Sequence, residues 1–279
     1  MTTLAPALSG ISYAPTRSRF GGLSLTYIRI ELMRILRHPE TLAFNIGLPV
    51  AMYLVFGSTF AQGADNAAGA ANVHFYVMAS MALYGAVTAT VNVSGGAAME
   101  IMQGWGRQIG LTPLNSSAYV AMKTIVALIV SFIAVSAVFI AGILTGAATD
   151  HARVWVSTFL LCWLGSTVFA LYGLAIAQLV RSESAVGIAS GALVLLSFFG
   201  NLFVPLSGTM LSIARFTPLY GLAGLSRWPQ LQGANVATNG PNDFGPTDSM
   251  WMLILNVVAW AAIFAVMAAL GTRRSRQRQ

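Results

Sequence analysis

Six apolar stretches, at roughly 41–60, 75–98, 124–147, 154–180, 184–203 and 250–271, contain no Asp, Glu, Lys, Arg or His. Each is long enough to cross a hydrocarbon core of roughly 30 Å at about 1.5 Å per residue. Hydrocarbon offers the backbone no hydrogen-bond partners, so such stretches must satisfy their own, which selects helix. A membrane β-barrel would alternate in segments of about ten residues, and these runs are continuously apolar. The expected fold is therefore all-α, a polytopic membrane protein with six transmembrane helices. A carrier driven by an ion gradient keeps ionisable groups at membrane depth to bind the coupling ion. None lies in these stretches, which places the energy source elsewhere.

Little soluble mass remains around the spans. The 279 residues are 56% hydrophobic and 8% charged, against roughly 25% charged in a soluble domain, so 1–279 reads as one transmembrane domain. Its net charge of +7 is a topology signal. Arg17, Arg19, Arg29, Arg34, Arg37, Arg107, Lys123, Arg181, Arg273, Arg274, Arg276 and Arg278 fall on one side of the six spans, and Arg153, Arg215 and Arg227 on the other. The positive-inside rule then places both termini in the cytoplasm. Basic residues scattered over separate loops form no nucleic-acid footprint, although the Arg-rich tail suits contact with anionic membrane lipid. The lone Cys162 excludes an internal disulfide and a cysteine metal cluster. Residues 1–24 lack the apolar run of a cleaved signal peptide.

Between the spans, the stretch 25–37 has Leu25, Ile28, Leu32, Ile35 and Leu36 at helical spacing, with Arg29, Glu31, Arg34 and Arg37 over much of the remainder. It is too short and too polar to span. The expectation is an interfacial amphipathic helix with its apolar face in the acyl boundary, followed by Pro39 in the first turn of the next helix. The connection 99–123 is the largest cytoplasmic loop, opened by Glu100 and punctuated by Gly104, Gly106, Gly110 and Pro113. On the outer side, Val204 to Leu225 is too apolar for an exposed loop and is broken by Pro205 and Pro218. Such a stretch can dip back into the membrane where protein buries its backbone. Gly142-xxx-Gly146 and Gly187-xxx-Gly191 are candidates for close helix contacts.

Catalytic signatures are missing. No phosphate-binding Gly-rich loop surrounds Lys123, the only lysine. His38, His74 and His151 lie apart without metal-ligand spacing, and no hydrolytic triad is evident. The expectation is a protein that is not an enzyme by itself, with no catalytic residue, metal or cofactor of its own. Neutral polar groups do enter the spans, and in hydrocarbon these face another helix or a wet cavity. Thr88 and Asn92 share one face at i, i+4, as do Ser197 and Asn201. Together with Asn45, Tyr53 and Phe198 they are candidates for a translocation path suited to an amphipathic or flat hydrophobic substrate.

These pieces together resemble the type-2 ABC transporter permeases, the six-helix subunits of bacterial exporters. Arg37-His38-Pro39 and Leu48-Pro49 are similar to the family's entry into its first span. Glu100, Gly104 and Leu111-Thr112-Pro113-Leu114 resemble its loop after the second span, with Ile101 departing from the basic residue often found there. Phe203-Val204-Pro205 and Thr217-Pro218-Leu219-Tyr220 resemble its paired proline motifs after the fifth. Among these families the chain looks most like permeases of daunorubicin/doxorubicin-type drug exporters, associated with drug efflux and antibiotic resistance. It is also similar to permeases for lipids, polysaccharides or teichoic acids.

The resemblance implies a role for each segment in a bacterial plasma membrane. Residues 25–37 would be a connecting helix. Residues 100–113 would hold the coupling helix, with Glu100, Gly104, Arg107, Leu111 and Pro113 meeting a separate ATPase. Residues 204–225 would be a re-entrant element, with Phe203, Pro205 and Pro218 at the outer gate. Two permeases, alike or similar, would assemble with two ATP-binding subunits, which would hold the ATP and Mg. The substrate would be a drug, lipid or glycolipid. A non-transporting scaffold or sensor subunit and a gradient-driven carrier are the alternatives. The charge-free spans speak against the carrier.

Overall fold

The structure, a computed structural model, describes residues 24–60, 67–105, 116–180, 182, 184–236 and 244–276. Helix α1 (Leu25–Arg37) begins at Ser24, whose hydroxyl accepts from the Tyr27 N–H. The first span follows as α2 (Pro39–Leu42), a π-helical turn (Ala43–Gly47) and α3 (Leu48–Phe60). Pro49 explains the π turn: it has no N–H to give, and its ring crowds the carbonyl four residues back. After a short antiparallel pair, β1 (Ala67–Ala68) and β2 (Ala71–Asn72), come α4 (Val73–Glu100) and α5 (Ser116–Leu144). The fourth span is broken into α6 (Ala152–Gly165) and α7 (Val168–Val180). Helices α8 (Ala185–Phe199), α9 (Gly208–Ala214) and α10 (Tyr220–Leu231), the strands β3 (Ala234–Val236) and β4 (Phe244–Thr247), and α11 (Met250–Arg276) complete the chain.

The bundle is organised around α4. Along Val73–Gly104, 89% of the most apolar window is buried, against 22% in the first span and 17% in the last. Helix α4 can occupy the centre because Ala, Gly, Ser and Thr fill much of it, and small residues let neighbouring helices approach. The peripheral helices turn apolar side chains outward, as with Leu255, Val258 and Val266 of α11, the surface a lipid environment covers. Asn72 caps α4 by accepting from the Phe75 N–H. The same side chain accepts from Ala148 and donates to the Gly146 carbonyl, tying the start of α4 to the end of α5. Where α6 gives way to α7, the Ser166 carbonyl accepts from the Phe169 N–H at 3.0 Å and also from Thr90 Oγ1 at 3.0 Å.

Five helices among the described residues are long and apolar enough to cross a membrane. The fifth expected span, 184–203, is shorter than the sequence pattern suggests. Helix α8 stops at Phe199, and its 15 residues reach only about 22 Å. The stop is conformational. Asn201 adopts a left-handed backbone (φ 57°), and its Oδ1 accepts from the Leu206 N–H at 2.8 Å, turning the chain.

Beyond that turn, α9 and α10 form a helical hairpin whose bend holds Pro218. Thr217 at the bend donates to the Phe199 carbonyl at the end of α8. The backbone of the bend is satisfied from α11: Asn256 donates to the Arg215 and Thr217 carbonyls and accepts from the Gly221 N–H, and Trp260 donates to the Phe216 carbonyl. Asp248 anchors the far side, paired with Arg215 at 2.7 Å and accepting from Tyr220 and Asn235. Buried Arg227 makes no ion pair among the described residues; it donates to Tyr76 and lies 4.9 Å from that ring.

Helix α1 departs from expectation. Its Ile28, Leu32 and Ile35 pack on Ala89, Val93, Val126, Ala127 and Val130 of α4 and α5 rather than on lipid. Leu25, Ile30 and Met33 are exposed, and the one buried residue is Glu31. The small-residue patterns divide as well. Gly142 lies against Met78, whereas Gly187 and Gly191 have open space where a side chain would go.

Candidate functional site

That open space belongs to a cleft of about 760 Å³ bounded by α1, the first span, α4 and α8. Its walls are mostly apolar, with Phe44, Leu48 and Val194 among them. Three polar side chains from three elements meet in it. Ser190 Oγ on α8 donates to Asn92 Oδ1 on α4 at 2.7 Å, and Asn92 Nδ2 donates to Asn45 Oδ1 at 2.6 Å. Asn45 comes from the π turn and is 1% exposed; its Nδ2 has no partner among the described residues.

Of the path candidates, Asn45, Thr88 and Asn92 line this cleft together. Tyr53 does not. It is buried on α3, its hydroxyl 2.6 Å from Thr145 just past the end of α5. Asn201 lies in the hairpin network, donating to Asn235 at 3.3 Å. Phe198 is partly exposed and meets Phe203 edge-on at 5.0 Å. Phe203, expected at an outer gate, is buried and also packs edge-on against Tyr84 at 4.9 Å. Tyr84 is itself part of the cleft wall, and Phe203 packs behind it, outside the lining. Pro205 lies in the segment between α8 and α9, and Pro218 in the hairpin bend.

The opposite end, about 24 Å along α4 from Tyr84 to Glu100, carries the charges. Lys123 Nζ lies 2.6 Å from Glu31 and 2.6 Å from Glu100, and Arg34 lies 2.5 Å from each of the same carboxylates. Two acids and two bases thus close a ring joining α1, α4 and α5, and Tyr119 donates to Glu100 at 2.7 Å. The Lys123 side chain is only 5% exposed, that of Glu31 10% and that of Glu100 16%. Burial pulls the Arg34 guanidinium down, but Glu100 and then Glu31 outweigh it and hold it above its ordinary value.

Burial, then Glu31 and Glu100, pushes the Tyr27 phenol up to about 12. Its folded value exceeds the unfolded one, so the stability it contributes is complete below pH 10 and is lost as pH rises toward 12. Thermal unfolding should therefore be insensitive to this group near neutrality and fall above pH 10. Tyr27→Phe should flatten that alkaline limb, and an unchanged limb would refute the assignment.

Sequence reasoning singled out Glu100 as a coupling candidate and missed the ring. One signal was available: Glu31 lies at the spacing of Ile28, Leu32 and Ile35, on the apolar face of α1. An acid on that face needs a buried cation, and Lys123 stands at the mouth of the third span. Of the coupling candidates, Glu100 ends α4 inside the ring, and Gly104 has φ 101°, a backbone that glycine adopts freely. Arg107, Leu111 and Pro113 lie outside the described residues.

A Bacillus subtilis (strain 168) protein carrying the name transport permease YvfS is 24% identical over 241 residues, spanning 85% of this chain and 92% of its own length. The description ABC-2 type transporter matches residues 24–222, which take in α1, the cleft, the charged ring, α9 and the bend after it. On that match, covering well over half its length, the chain belongs to the ABC-2 type transporter family.

Proposed function

We propose that this permease subunit moves hydrophobic or amphipathic molecules, of drug, lipid or glycolipid type, outward across a bacterial plasma membrane. The family makes the chain a multi-pass permease that works with an ATP-binding subunit. The observation that carries the further reading is the cleft. It is apolar in its walls, reaches Tyr84 at one end, and at the other meets Glu31 and Arg34 of the ring that binds α1 to α4 and α5. The distribution of basic residues supports a cytoplasmic rim and cytoplasmic termini. A second permease, identical or similar, would complete the chamber, and two ATP-binding subunits would drive it.

In this scheme ATP binding closes the two ATPases and moves the 100–113 segment. That displacement reaches α1 through Glu100 and its partners. The cleft then exchanges inward for outward access as the 204–225 hairpin shifts. Gly191→Leu, placed where no atom now stands within 4 Å, should reduce efflux of a lipophilic fluorophore by about tenfold, as a loss of about 1.4 kcal/mol in binding does. Association with the ATPase should be unchanged. Normal efflux in that variant would remove the cleft from the path. Substitutions across 100–113 that spare both ATPase association and efflux would remove the coupling assignment.

A further inference from the structure

We infer that the cleft selects an uncharged stretch of its ligand that carries a polar oxygen, a carbonyl or hydroxyl, and holds that oxygen at Asn45. This inference rests on the cleft being the substrate chamber. Three observations carry it. Asn45 is 1% exposed, lines the cavity, and has an Nδ2 without a partner among the described residues. A buried amide donor left empty is unfavourable, and an acceptor brought by a ligand relieves it. The chain of hydrogen bonds from Ser190 through Asn92 to Asn45 also fixes that side chain. Its carbonyl is already engaged, so the open position is the amide N–H.

The third observation is charge. The ionisable residues lining the cleft, Glu31, Arg34, His38 and Glu40, stand at its rim. Glu31 and Arg34 are committed to the ring, and His38 lies 3.2 Å from Glu40. Between that rim and Tyr84 the lining is neutral, so a charged group carried inward loses its hydration with nothing to replace it. The buried part of the ligand is therefore neutral. A charge on the ligand stays at the rim.

The test is photolabelling of the permease assembled with its ATP-binding subunit in phosphatidylcholine vesicles, with labelled segments identified by mass spectrometry. Three probes are used: 4-dodecylbenzophenone, whose ketone is the acceptor; a dodecylphenyl trifluoromethyl diazirine lacking a carbonyl; and a benzophenone bearing a quaternary ammonium on its ring. Both neutral probes should label the segments bearing Asn92 and Ser190. Asn45→Leu should cut ketone labelling about fivefold relative to the diazirine, the size of one neutral hydrogen bond. Asn45→Met keeps a weak thioether acceptor toward Asn92 and carries no donor, so it should give the same selective loss if the leucine variant does not assemble. Ketone labelling unchanged in an assembled variant would overturn the acceptor while leaving the chamber intact. Equal labelling by the cationic probe would overturn the neutrality. Failure of both neutral probes to label the cleft would overturn the chamber and the inference together.

Discussion

Lys123→Met is expected to destabilise the permease by about 3–5 kcal/mol, the cost of removing one partner from a buried ion pair. The ammonium lies between two carboxylates at 2.6 Å each. Without it Glu31 and Glu100 share only Arg34, whose side chain is half exposed, and two anions remain on the inner side of the ring. Methionine matches lysine in length, so lost packing contributes little. Thermal unfolding in detergent should show the loss. Adding Glu31→Gln should recover much of it by removing the unpaired anion, and the double-mutant cycle should return a coupling of about 1–3 kcal/mol. Additive effects would show that the ring is a set of independent contacts.

In the proposed cycle the ring gives α1 a mechanical meaning. A helix lying on lipid by its apolar face would follow the bilayer, whereas α1 is bolted to the two spans that frame the loop beginning at Glu100. In the proposed cycle, movement of that loop therefore displaces α1 and the cleft mouth together. Glu100 serves from inside the protein, as the hub between Arg34, Lys123 and Tyr119. The surface offered to the ATPase would then be left to residues further along the loop.

The spans were legible because hydrocarbon imposes one rule over 20 or more residues, and composition alone reports it. The end of α8 was not legible, because Leu202 and Phe203 continue the apolar run while the chain turns at Asn201. A left-handed residue leaves no mark in hydropathy. The cleft was half legible. Asn45, Thr88 and Asn92 announced themselves as polar groups in hydrocarbon, but so did Asn201 and Asn256. Polarity shows that a side chain needs a partner and not where the partner is: Asn256 serves the hairpin bend and Asn201 meets Asn235. The ring depends on contacts as far as 92 positions apart, which local periodicity does not report.

The glycines make the same point, and a matched pair of substitutions turns it into a measurement. Gly173 on α7 lies where a Cβ would stand 2.6 Å from the Val91 carbonyl oxygen and 3.0 Å from Val91 Cα, both backbone atoms of α4. Backbone cannot rotate away as a side chain can, so Gly173→Leu must push the fourth span off the second. The expected loss is about 3 kcal/mol, the upper part of the range for overpacked cores. Gly187→Leu makes the same chemical change on α8, where no atom lies within 4 Å. Leucine there gains up to about 1 kcal/mol of helix propensity over glycine, so stability should hold or rise. Its side chain enters the cleft, so efflux should fall while the fold persists. One variant should fail in thermal unfolding and the other in transport. If Gly187→Leu left transport intact, the cavity would be a gap between helices. If Gly173→Leu left stability intact, α4 and α7 would have to be less tightly apposed than the structure places them.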